Sequence, residues 1–290
     1  CEWNMSEALL STRRTVCEWQ SEKLALLLFL LFATRITAIE PDLRLITAAQ
    51  EQNTAAVKAL IEQNVDVNAA RGDGVTALHW GAHWNNGNVV RLLLEAGAKP
   101  NARNSHGVTP LLLASENGHF SVITQLLSAG ATASAAQNNG VTPLMMGARA
   151  GASEVVQALL THGAAVRATI PSTGQTALMW ATAEGHIDVM QLLINAGAEF
   201  RIPSTIGFTP LLFATRNGDI GAVETLIVAG ADVNQPGDDG THALPLAIIS
   251  GHAELAEFLL AQGANPNGTM HGITALHAAV GNVDIWLRDW

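Results

Sequence analysis

A threonine recurs along this chain at Thr76, Thr109, Thr142, Thr176 and Thr209, and His242 and Thr274 continue the column. The steps are 33, 33, 34, 33, 33 and 32 residues. This period constrains the fold more than any other feature. A unit of that size cannot bury its own apolar face, so copies have to stack on one another. Three glycine columns keep the same register. One lies two residues before the threonine, from Gly74 to Gly272; a second runs from Gly118 to Gly251. The third, Gly97 to Gly263, is each time followed by Ala. Together they account for most of the 26 glycines, so the composition reflects a register and not low complexity.

Each column has a physical reading. Thr109-Pro110, Thr142-Pro143 and Thr209-Pro210 read as helix starts. The threonine caps free N–H groups, and proline at the first helical position forfeits no hydrogen bond. A short apolar helix follows, and the next glycine turns the chain in a left-handed conformation. A second helix carries apolar residues at helical spacing, such as Val89, Val90, Leu93 and Leu94. Gly-Ala ends it. A polar stretch then leads to the next turn glycine, often through Asp or Asn (Asp73, Asn139, Asp239), as a tight turn requires.

The segment "VTPLLLASENGHFSVITQLLSAGA" (108–131) resembles the ankyrin repeat, with its Thr-Pro-Leu start, Gly-His turn, Leu-Leu pair and Gly-Ala close. The resemblance covers residues 42 to 290. It implies an all-α solenoid of stacked helix-turn-helix units with projecting turn or hairpin loops. The repeats read as 42–74, 75–107, 108–140, 141–174, 175–207, 208–240 and 241–272, with a partial one at 273–290. The variants "TALHW" (76–80) and "TALMWATAEGH" (176–186) are most similar to exported bacterial members.

The copies depart from the pattern at defined places. The first lacks Thr-Pro-Leu-His, has Gln52 and Asn64 where later copies have Gly, and reads as an N-terminal cap. Asn85 takes the inter-helix glycine position of the second copy; after glycine, Asn tolerates that conformation best. Pro245 falls in the first turn of its helix, where it is tolerated. "GNVDIWL" (281–287) arrives two residues early and no Gly-Ala follows. The expectation there is a shortened cap or a chain that continues, the latter favoured.

Residues 1–38 follow other rules. "LALLLFLLFA" (24–33) is ten apolar residues, short for a membrane span and suited to a signal-peptide core, with Arg13, Arg14 and Lys23 before it. The expectation is an exported protein, periplasmic or secreted, with no stable span once the leader is removed. A buried helix or signal anchor in a cytoplasmic protein is the alternative. Both cysteines, Cys1 and Cys17, lie in this leader, so the array from residue 39 has no thiol chemistry. The leader holds four side chains of each sign, and the net charge of −10 therefore sits on the array. An acidic array is poorly suited to nucleic acid, whose phosphates need Lys and Arg.

Motifs for chemistry are weak. "GDGVTA" (72–77) fits a dinucleotide fingerprint by letters but lies in the turn column with no strand before it. "RGD" (71–73) shares that turn, and "NGT" (267–269) matters only on a eukaryotic secretory route. Five of the ten histidines (His79, His119, His186, His252, His277) occupy repeat columns, where the resemblance implies local backbone hydrogen bonds. No cofactor, metal site or catalytic residue is expected, and the chain reads as a non-enzyme.

The resemblance implies that the turns and first helices form a concave face that binds a partner protein. Residues mapped there are His83, Trp84, Glu116, Asn117, Arg149, Glu184, Arg216 and Asn217, with Phe208 from the column after the turn glycine. Trp84 and Phe208 stand out, because exposed aromatics serve as interface anchors; packing against a neighbouring repeat is the competing reading for each. Trp80 and Trp180 share a column with Leu113, Met146 and Phe213 and are expected in the core. A monomeric scaffold for an unidentified protein is the main expectation. A recognition arm of a larger chain, or a groove for a small molecule or glycan, are the alternatives.

Overall fold

Every threonine of the column opens a helix. The computed structural model describes residues 42–280. The leader read at 1–38 and the segment 281–290 lie outside those residues. The array forms a unit of its own that begins at Asp42. Its inner helices are α1 (Arg44–Gln50), α3 (Ala77–His83), α5 (Pro110–Glu116), α7 (Pro143–Arg149), α9 (Ala177–Ala183), α11 (Pro210–Asn217), α13 (Ala243–Ile249) and α15 (Ala275–Val280). Its outer helices are α2 (Thr54–Glu62), α4 (Gly87–Glu95), α6 (Phe120–Ser128), α8 (Ser153–Thr161), α10 (Ile187–Asn195), α12 (Ile220–Val228) and α14 (Ala253–Ala261). Each inner helix from α1 to α13 packs on its own outer helix and on the inner helix of the next repeat; consecutive outer helices from α2 to α12 also touch.

Helices of six to nine residues are too short to hold themselves together in water. Burial supplies what propensity lacks. Leu78, Leu111, Leu144, Leu178, Leu211 and Leu244 form one buried column along the inner helices. Leu93, Leu126, Leu159, Leu193, Leu226 and Leu259 form another along the outer helices, each at 0% exposure. At helix starts, the hydroxyls of Thr109, Thr142, Thr176 and Thr209 accept from the backbone N–H three residues on, at 3.2–3.4 Å. Pro245 stands third in α13, within the first turn as expected.

The column glycines have φ between 64° and 97°, in the left-handed region. Gln52, Asn64 and Asn85, which replace glycine in early copies, are held there too, at φ 58°, 59° and 53°. Between repeats the chain makes a tight turn, as where Asp73 Oδ1 accepts from Val75 N–H. One turn becomes a true hairpin, pairing β1 (Thr269–Met270) with β2 (Ile273–Thr274).

A ladder of polar side chains stitches the repeats together, and the sequence reading did not single it out. Asn101 Nδ2 donates to Gly130 O at 2.9 Å while its Oδ1 accepts from Thr132 N–H at 2.8 Å. Asn68 and Asn234 make the same two bonds to their next repeats. Ser134 does it with one hydroxyl. Each bridges the Gly-Ala terminator of the following copy.

Candidate partner-binding face

The inner helices end on a common ladder. Because each helix has nearly the same length, its last residue and C-cap residue fall one repeat apart from their counterparts; α11 is one residue longer, and there the pair is its last two residues. The ladder reads Gln50-Glu51, His83-Trp84, Glu116-Asn117, Arg149-Ala150, Ala183-Glu184 and Arg216-Asn217. All are exposed except Gln50 and His83, which are partly buried.

Histidines of the Gly-His column pin this ladder. His119, His186 and His252 each donate Nε2–H to the carbonyl of His83, Arg149 and Arg216 in the preceding repeat, at 3.0–3.1 Å. The local bonds expected of these residues are thus bonds between repeats. They satisfy helix-end carbonyls that have no intrahelical partner. His79 does both. Its Nδ1 accepts from Thr76 N–H at 3.1 Å, and its Nε2 bonds the Val108 carbonyl at 3.1 Å. With Nδ1 as acceptor, the proton belongs on Nε2. Burial lowers the His79 pKa below its ordinary value, against the opposing pull of the Val108 carbonyl and of Asp73.

Side chains along the ladder also bond sideways. Arg149 Nη2 lies 3.2 Å from Glu116 Oε1, and its guanidinium sits 5.4 Å from the centroid of the Trp180 ring. Asn217 Nδ2 donates to Ala183 O at 2.7 Å, and Asn117 Nδ2 to Leu113 O at 2.9 Å.

Trp84 is 43% exposed. It does not stand alone. The Trp80 ring stacks on it at 6.4 Å with 17° between planes, and His83 meets Trp84 edge-on at 4.6 Å and Trp80 at 5.9 Å. The three are spaced i, i+3 and i+4, which sets them side by side on one helix face. Trp80 is half-buried and packed against the core. The core-facing position expected of it holds, but the burial is partial, because a large indole is not wholly enclosed by the next repeat. Trp180 is half-buried for the same reason. Met146 and Phe213 are covered. The signal for the cluster was present in the spacing of Trp80 and Trp84, but column averaging hid it.

Phe208 also needs correction. It is 4% exposed and offers no free aromatic surface. Its ring meets Phe213 edge-on at 5.6 Å, and Arg216 lies 5.5 Å from both rings. Phe208 thus packs back onto its own repeat. Val141 at 4% and Thr241 at 0% are likewise buried, whereas Val75, Val108, Gln175 and Ile273 of the same column are partly buried.

Elsewhere, an open groove of about 620 Å³ runs between α10 and α12, on the outer-helix side, with Ile187, Glu224 and Val228 among its walls. Among the described residues no group of three His, Cys, Asp or Glu side chains is placed to hold a metal ion. No helix among them is long and apolar enough to cross a membrane.

Stacked helix pairs, glycine turns and a terminal Gly-Ala agree with the known-protein comparisons. The family described as ankyrin repeats (3 copies) matches residues 20–104, 45–137, 98–170, 166–237 and 211–287. The chain belongs to the ankyrin-repeat family. Among solved structures, the human ASB11 ankyrin repeat domain is similar at 27% identity and a TM-score of 0.68, covering 77% of this chain and 98% of its own. No curated protein matches the sequence. Ankyrin arrays are in general scaffolds for protein interaction, and the fold is typically non-enzymatic. In this ankyrin array the aromatic step at Trp80, His83 and Trp84 interrupts a ladder that is otherwise mostly polar and charged.

Proposed function

We propose that this protein is a non-catalytic scaffold that binds a partner protein on the inner-helix ladder, with Trp84 as its anchor and Glu116, Asn117 and Arg149 beside it. The observation that carries the reading is the exposed aromatic step on a ladder already held rigid by the histidine clamps. A rigid aromatic surface loses little entropy on binding, and such residues dominate interface energetics. Glu184, Arg216 and Asn217 extend the same face. The histidines at its base are engaged with backbone carbonyls, which supports a structural role for them over a catalytic one. We further propose export, on the strength of the apolar stretch at 24–33 and the likeness of "TALHW" to exported bacterial members. N-terminal sequencing of the protein recovered from the exported fraction should start near residue 39.

The binding reading is tested with the full chain and its Trp84→Ala variant, matched for thermal unfolding. Proteins captured from the source cell are purified and titrated one by one. A partner whose Kd rises at least about tenfold with Trp84→Ala supports the face. A partner bound equally by both places the site elsewhere on the array.

A further inference from the structure

The aromatics along the inner helices and turns differ in one respect. Trp180 carries the guanidinium of Arg149 over its ring, and Arg149 is held in turn by Glu116. Phe208 and Phe213 carry the guanidinium of Arg216. The Trp80–Trp84 pair is the largest aromatic surface of the three, and among the described residues no Arg or Lys covers it. The position that supplies Arg149 and Arg216 is His83 in this repeat and Gln50 in the one before. Gln50 Oε1 accepts from Arg71 Nη2 at 3.0 Å, which ties that guanidinium to the amide and leaves the two indoles without a stacked cation among the described residues. A carboxylate is nonetheless in reach. Glu51 is exposed, forms no ion pair among the described residues, and occupies the C-cap position one repeat before Trp84. Packed helices lie about 8–10 Å apart. A long cationic side chain laid on Trp84 can therefore meet that carboxylate, as Arg149 meets Glu116 while lying on Trp180.

We propose that the Trp80–Trp84 step takes an arginine side chain from the partner protein, seated on the Trp84 indole and paired with Glu51. The proposal rests on the scaffold reading above and names the chemistry of its partner. Charge agrees with it. The protein carries −10 at neutral pH, so a basic segment is attracted to it at long range. Arginine is preferred over lysine because its flat guanidinium stacks on an indole and still presents N–H groups to a carboxylate.

The test follows the indole N–H signals of the full ¹⁵N-labelled chain by NMR, with Trp84 assigned through Trp84→Phe. The probes are acetyl-Gly-Arg-Gly-amide and its citrulline twin, which has the same shape without the charge. The expected result is a Trp84 signal that moves with the arginine peptide and responds at least about tenfold more weakly to the twin. Glu51→Gln should weaken the response several-fold. The Trp180 signal should stay still in the parent and move in Arg149→Ala, once its own guanidinium is removed. Equal responses to the two peptides, or a still Trp84 beside a responsive Trp180 in Arg149→Ala, overturn the proposal. If a partner is lost on Trp84→Ala while Trp84 ignores the arginine peptide, the scaffold stands and the arginine assignment falls. If partner binding survives Trp84→Ala, the face itself falls.

Discussion

Trp80 and Trp180 occupy the same column yet differ by one hydrogen bond. Trp180 Nε1 donates to Gln175 Oε1 at 3.1 Å, whereas the buried Nε1 of Trp80 has no partner. The residue five before Trp80 is Val75, where the other repeat has Gln175. Supplying the missing acceptor with Val75→Gln should stabilise the protein by about 1 kcal/mol, seen as a raised urea midpoint with an unchanged m-value. His79 gives a second residue-scale expectation. Its folded pKa lies below the unfolded value of 6.5, so the unfolded chain takes up the proton first. The stability it contributes is present above pH 6.5 and is lost as pH falls from there through the lower folded value. Urea unfolding at pH 7.5 and pH 5.5 should show a larger drop in the parent than in His79→Gln.

At the scale of the element, the glycine between the helices does two jobs. Gly151 has φ 67°, a conformation that costs an L-residue about 1–2 kcal/mol. A Cβ placed there would also lie 2.7 Å from the His186 ring, and that ring clamps the end of α7 through Arg149 O. Gly151→Ala should therefore cost more than the backbone term alone, about 2–4 kcal/mol in all. It should also speed exchange of amides near Arg149. Gly118 has the same kind of turn, φ 69°, but only a side-chain methyl at 3.5 Å, so Gly118→Ala should show the backbone cost alone. Similar losses for the two would remove the clamp from the account.

Over the whole molecule, stability is a sum of repeat and interface terms, because each copy touches only its neighbours. The polar ladder acts on the interfaces. Asn101→Ala removes two bonds between adjacent repeats and should cost about 1–3 kcal/mol. The loss should be local to that seam. Hydrogen exchange should rise first in α3 to α6, on either side of it, while α11 to α14 keep their protection. A uniform rise along the chain would mean that the array unfolds as one cooperative unit.

Much of this was legible in the residues themselves. The period, the glycines that need positive φ, the Thr-Pro starts and the apolar spacing are properties of neighbouring residues on one chain, and local geometry follows from them. Even the substitutions Gln52, Asn64 and Asn85 declared their conformation by standing in a glycine column. What only the tertiary structure decided lies between repeats. A column predicts equal environments, but exposure depends on the size of the side chain and on what the next copy sets against it. So Phe208 went inward under Arg216, and Trp80, packed against the core, stayed half-buried beneath Trp84. The histidines and asparagines likewise bond across seams 29 to 37 residues apart in sequence, a separation at which no local pattern carries information. Sequence sufficed for the repeat because a repeat is local; the face needed the stack because a face is assembled from several repeats.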